Sequence, residues 1–169
     1  MPYALLALVL VILDQVVKYL VLTYIPLGGY VPFLPHIACL TYVQNTGAAF
    51  SMFSQHTWIL ALISLIMSVV LAVALWKNFF THPLGKVTLA LLLAGAVGNL
   101  IDRALRGFVV DMFQLLFMNF AVFNVADICI TVGAVWLAVY VLFGYEKLEK
   151  KSKKEVPTHD GTDLSSDDT

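Results

Sequence analysis

Asp111 and Asp127 are the residues best suited to do chemistry in this chain. Each stands beside a long apolar run, and only fifteen residues join them. Two carboxylates held close together cannot both ionise easily, so such a pair shares one proton. One member can then take a proton from a water while the other gives one to a carbonyl oxygen. That is aspartic-peptidase chemistry, which needs neither a metal nor a covalent intermediate. Asp111 follows Phe108-Val109-Val110 in what reads as a short loop, and alone it would mean little. The pairing with Asp127 gives it weight.

Other polar residues sit where they are expensive. Ionisable side chains inside apolar spans are functional candidates by default. Asp14 and Lys18 are four apart and share a helix face, so they either form a self-neutralising pair or support a site. Asn99 and Asp102 share a face at a helix C-terminus, where the dipole disfavours an anion and Arg103 or Arg106 would offset it. Asn124 reads as an N-cap with Asp127 answering at the third position, a role that capping alone would explain. Gly95, Ala96 and Gly98 are small enough to let helices approach closely.

Competing chemistries have weaker marks. His36 and His56 lack ligand spacing and there is no His-Glu-x-x-His, so no metal and no cofactor are expected. No Gly-x-Ser-x-Gly elbow and no phosphate-cradling glycine loop occur. Cys129 lies two residues from Asp127, but an apolar helical cysteine is ordinarily a small hydrophobe, and with Cys39 it cannot make a disulfide scaffold.

The elements that must position these residues follow from composition. The chain has 169 residues, 60% of them hydrophobic and 12% charged. A soluble domain carries about 25% charged residues, so there are too few here to cover a water-exposed globule. A net charge of −1 argues against a basic face for nucleic acid. A helix crossing a bilayer needs roughly 20 apolar residues, and four stretches qualify: 3–25, 57–76, 85–104 and 123–143. Backbone amides in lipid must be satisfied internally, which makes helices the expected form. The expected architecture is an all-α integral membrane protein, with residues 1–145 as the four-span body and 146–169 as a charged, disordered tail. The first span lacks a basic leader and a cleavage site, and Asp14 and Lys18 interrupt it, so it reads as retained rather than as a signal peptide.

Residues 26–56 carry no charge and are broken by Pro26, Pro32 and Pro35. Thr41–Asn45 is short and β-prone, so this first outer loop is expected to form a small β-like cradle at the interface. Tyr24, Tyr30, Tyr42 and Trp58 are the expected interfacial anchors. Lys77, Lys86 and the tail lysines set orientation by the positive-inside rule: both termini in the cytoplasm, and residues 26–56 and 103–122 on the outer side. Arg103 and Arg106 break that rule, which suggests a local task. The lysine-rich tail is suited to anionic membrane lipids. A proton- or ion-coupled transporter is the leading alternative, because intramembrane carboxylates also mark ion paths; a structural membrane partner is a third.

Four blocks carry a resemblance. Asp14-Gln15 with Lys18, Asn45-Thr46-Gly47-Ala48-Ala49-Phe50, Gly98-Asn99-Leu100-Ile101-Asp102-Arg103 with Gly107–Asp111, and Phe123-Asn124-Val125-Ala126-Asp127 running on to Ile130–Gly133 stand in the order found in bacterial lipoprotein signal peptidases (signal peptidase II). The chain resembles that family over roughly residues 10–135, departing at Met112, where phenylalanine is usual. The resemblance implies a four-helix aspartic peptidase of the bacterial cytoplasmic membrane with Asp111 and Asp127 as its dyad. It implies substrate-binding roles for Asn45, Asn99, Arg103 and Asn124, with Asp14, Lys18, Gly47 and Asp102 in support. The implied substrate is a diacylglyceryl-modified prolipoprotein cut just before its lipidated cysteine, at the outer surface, and globomycin-type peptides are the implied inhibitors.

Overall fold

The computed structural model describes residues 2–47 and 57–144. Ala48–Phe50 of the second block, His56 and the tail after residue 144 lie outside the described residues. Four helices are long and apolar enough to cross a membrane: Pro2–Tyr24, Thr57–Trp76, Pro83–Arg106 and Val125–Phe143. We number the regular elements α1 (Pro2–Tyr24), β1 (Tyr30–Leu34), β2 (Ala38–Asn45), α2 (Thr57–Trp76), α3 (Pro83–Arg106), β3 (Val109–Leu115) and α4 (Val125–Val139). A π-helical turn, Tyr140–Gly144, continues α4.

α3 is the central helix, and α1, α2 and α4 all pack on it. The outward faces of α1 and α2 expose Leu8, Ile12, Val16, Leu62, Ile66 and Val69. A helix with an apolar outer surface is at home in hydrocarbon, and the polar residues collect on the inward faces. α3 begins at Pro83, pre-set for the first helical position, with the His82 ring nitrogen accepting from the Leu84 N–H. It stops at Gly107, whose φ of 77° is left-handed and whose N–H closes on the Arg103 carbonyl. Gly95 and Gly98 bring α3 close to its neighbours. A Cβ at Gly98 would lie 2.6 Å from the Asp14 carboxylate, and one at Gly95 would collide with the Ala126 carbonyl.

The cradle has a part that the sequence reading did not include. β1 and β2 form a hairpin from the first loop, and β3 adds an antiparallel third strand from the α3–α4 connection, in the order β1-β2-β3. Asp111 therefore sits in a strand and not in a loop. Val109-Val110-Asp111-Met112 is a β-branched and apolar run that can be buried on both faces, and all four residues are buried. Tyr42 is also corrected: it is buried beside Val21, Ile25, Val110 and Met112, and its hydroxyl accepts from the Gln44 amide at 2.7 Å. Tyr24, Tyr30 and Trp58 are exposed at the same end of the bundle, as anchors would be.

Candidate active site

The polar residues of the spans converge at one end of the bundle. Lys18 is fully buried, and its ammonium donates to Asp14 at 2.9 Å, to Asp102 at 2.9 Å and to the Asn99 carboxamide oxygen at 3.0 Å. Three donors and three acceptors satisfy the group completely. A buried charge without such partners would be prohibitive. Asp14 spends its other oxygen on the Ala126 N–H at 2.9 Å, one of the orphan donors at the start of α4. Asp102 accepts from the Val110 N–H at 3.1 Å and pairs with Arg106. Of the two arginines near Asp102, Arg106 is the partner, while Arg103 turns elsewhere. Gln15 links the same carboxylates, its amide reaching Asp14 at 3.1 Å, Asp102 at 3.4 Å and the Gly98 carbonyl at 3.1 Å.

This hub holds both candidate catalytic residues. Asn99 cannot flip, because Lys18 can only donate to it, so its amide nitrogen points at Asp127 and donates at 2.8 Å. Asn124 is the N-cap of α4 and forms a reciprocal capping box with Asp127. Its side-chain amide also donates to Asp111 at 2.6 Å and to Asn99 at 3.2 Å. Capping and site-building, alternatives in the sequence, are one arrangement here. Across the sheet, Val43 is the partner of Asp111 and Asn45 lies two residues on, on the same face. The Asn45 amide accordingly donates to Asp111 at 2.8 Å, while its carbonyl oxygen accepts from the Gly47 N–H.

Asn124 thus touches both carboxylates and ties them into one cluster. Asp111 is 1% exposed, whereas Asp127 is half-buried on the wall of a cavity of about 690 Å³. Burial pushes the Asp111 carboxyl up to about 6, and the nearby Asp127 charge adds to this, while hydrogen bonds from Asn45 and Asn124 and the Lys18 charge act against it. Arg103 also lines the cavity. It reaches Ser64 on α2 at 3.3 Å and the Asn99 carbonyl at 3.5 Å, and among the described residues its buried Nε has no partner. Among the described residues no group of three His, Cys, Asp or Glu is placed to hold a metal.

Two residues escaped the sequence reading. Gln15 appeared only as part of a block, without a role. Ser64 lies on a span with no charge, and nothing in its neighbourhood marked it. Its hydroxyl was its only signal, and Ser68 in the same run carries the same one.

A multi-pass bundle with a buried carboxylate cluster beside a cavity at one end has the layout of a membrane enzyme, and the comparisons with known proteins decide between that class and a transporter. The chain belongs to the signal peptidase II family, whose sequence model, described as signal peptidase (SPase) II, matches residues 6–143. It is 42% identical over 153 residues to the lipoprotein signal peptidase of Enterococcus faecalis, covering 90% of this chain and 92% of the relative. It is 44% identical over 145 residues to that of Streptococcus pneumoniae, covering 82% and 91%. Among solved structures, one described as a bacterial membrane enzyme determined by the in meso method superposes with a TM-score of 0.79 at 32% identity, covering 92% of this chain and 94% of that one. A second gives 0.77 at 33% identity, covering 84% and 93%. The chain is therefore a multi-pass bacterial membrane protein of a protease family that removes signal peptides from prolipoproteins, and the transporter alternative falls away.

Proposed function

We propose that this protein is an aspartic endopeptidase that cleaves diacylglyceryl-modified prolipoproteins just before the lipidated cysteine, with Asp111 and Asp127 as the dyad. The observation that carries the reading is the clamp of Asn99 and Asn124 on both carboxylates. Four carboxylates (Asp14, Asp102, Asp111 and Asp127) meet three cations (Lys18, Arg103 and Arg106) in this region. One proton retained by the dyad makes the cluster neutral, which a low-dielectric site favours.

In this mechanism the ionised carboxyl takes a proton from a water, and the hydroxide adds to the scissile carbonyl carbon. The protonated carboxyl gives its proton to the carbonyl oxygen. Collapse of the tetrahedral intermediate returns a proton to a carboxylate. The leaving nitrogen takes the other proton and departs as the amine of the new N-terminal cysteine. Asn99 and Asn124 hold the carboxyls in register, which preserves near-attack geometry. Arg103, a cation on the cavity wall, is suited to a substrate carbonyl.

We further infer that the site faces the outer leaflet and both termini the cytoplasm. The site gathers at the ends of α1, α3 and α4 opposite to Lys77 and Lys86, and the positive-inside rule assigns those lysines to the cytoplasm. Globomycin-type peptides would compete for the same cavity. The test is mass spectrometry of a synthetic lipobox peptide after incubation with purified protein. Cleavage just before the cysteine is expected for the diacylglyceryl form and not for the unmodified form. Cleavage elsewhere, or equal cleavage of both forms, would defeat the substrate assignment.

A further inference from the structure

We infer that Asp14, Lys18 and Asp102 form a bridge that sets the spacing of the two dyad members by holding the backbone immediately before each of them. This rests on the peptidase reading above and adds what positions its dyad. The Ala126 N–H, one residue before Asp127, donates to Asp14 at 2.9 Å. The Val110 N–H, one residue before Asp111, donates to Asp102 at 3.1 Å. The Lys18 ammonium joins those two carboxylates at 2.9 Å each. An unbroken run of contacts therefore links the peptide before one dyad residue to the peptide before the other, crossing α4, α1, α3 and β3 in turn. Asn124 ties the two carboxyl groups at their tips; the bridge ties the backbones that carry them.

Both N–H groups are ones that regular structure leaves unpaired. Ala126 lies in the first turn of α4, where the leading N–H groups have no partner within the helix. β3 is an edge of the sheet, and Val110 turns its N–H to α3 rather than to β2. A neutral acceptor would satisfy either donor. A carboxylate–ammonium–carboxylate bridge does more, because its three side chains are 0–1% exposed and each is fixed by the others. Ionised groups hold their hydrogen bonds shorter and more strongly than neutral ones, and a buried ion that leaves its partner strands a charge. The fold also makes room for the bridge. A Cβ on Gly98 would crowd the Asp14 carboxylate and lie 3.2 Å from the Ala126 Cβ, so glycine there lets α1, α3 and α4 meet at the start of α4. A displacement of about 1 Å near a reacting group can cost on the order of a hundredfold in rate. The bridge therefore acts on turnover rather than on substrate affinity.

Two readouts test this. The amide resonances of Ala126 and Val110, in isotopically labelled full-length protein in detergent, report the bridge without any substrate. Asp14→Asn leaves one acceptor oxygen for two donors, the Lys18 ammonium and the Ala126 N–H. It is expected to shift the Val110 amide at the far end of the bridge as well as that of Ala126, and Asp102→Asn is expected to shift Ala126. Perturbation confined to the nearer amide in either variant would overturn the inference. The second readout is turnover of a diacylglyceryl lipobox peptide at a temperature where every variant is folded. Lys18→Met with Asp14→Asn removes the stranded charge and recovers thermal midpoint relative to Lys18→Met alone, but leaves the two clamps unlinked. Its kcat is expected to stay at least about tenfold below wild type, with KM within about threefold. Gly98→Ala, which displaces Asp14 without removing a charge, is expected to lower kcat likewise. Recovery of kcat together with the midpoint in the double variant, or wild-type kcat in folded Gly98→Ala, would overturn the bridge and leave Lys18 a role in stability alone. Wild-type failure to cleave the peptide would remove the peptidase reading, and the amide readout tells that failure apart from failure of the bridge.

Discussion

Replacing Lys18 with methionine removes an ammonium shared by three buried oxygens while keeping most of the side-chain volume. Lys18, Asp14 and Asp102 are each 0–1% exposed. Asp102 retains Arg106, but Asp14 is left with only the Gln15 amide and the Ala126 N–H. Removing one partner of a buried ion pair costs about 3–5 kcal/mol, because the other charge stays behind unpaired. At about 2–4 °C per kcal/mol for a chain of this size, the thermal midpoint in detergent should fall by about 6–20 °C. The compensating change identifies the cause. Lys18→Met with Asp14→Asn removes the stranded charge and should recover at least about 2 kcal/mol over additivity in a double-mutant cycle. Differential scanning fluorimetry of the four proteins in one detergent is sufficient. A fall of less than about 2 °C, or strictly additive losses, would refute the idea that Lys18 neutralises this hub.

Three further outcomes are expected. The folded Asp111 carboxyl sits at about 6 against about 3.9 in an unfolded chain. The native state therefore binds that proton more tightly, and this group's contribution is full below about pH 4 and lost as pH rises through 6, a loss of about 3 kcal/mol. Asp111→Asn should flatten the fall in thermal midpoint between pH 4.5 and 7.5, and equal slopes in variant and wild type would contradict the assignment. Ser64→Ala removes the hydroxyl that receives Arg103, so KM should rise about three- to tenfold with kcat little changed and with recovery in Ser64→Thr; a loss in kcat alone would argue against a positioning role. Treatment with chelators should leave the cleavage rate unchanged, whereas a large loss reversed by zinc would indicate a metallopeptidase.

Much of the architecture was legible because lipid imposes simple rules. The span 57–76 matches α2 residue for residue, since an uncharged 20-residue run has few other options. The fourth span begins two residues later than expected because Asn124 is extended as a cap. The third strand was hidden: Val109–Leu115 is too short and too close to a helix end to declare its partner, and its pairing with β2 joins segments more than sixty residues apart. The carboxylate pair could be read because charges are so scarce in the body of the chain. The contacts of Lys18, Gln15 and Ser64 could not, because which residues meet across α1, α2 and α3 depends on helix rotation that apolar sequences leave unmarked.

The central claim is that Asp111 and Asp127 act together on the scissile bond. Its most direct test is the single-turnover rate of purified Asp111→Asn and Asp127→Asn on a diacylglyceryl lipobox peptide, with folding verified by thermal unfolding in the same detergent. The account predicts that both variants stay folded and that each loses cleavage by at least about a thousandfold, as expected when residues act as a unit. Wild-type cleavage by either folded variant would contradict it.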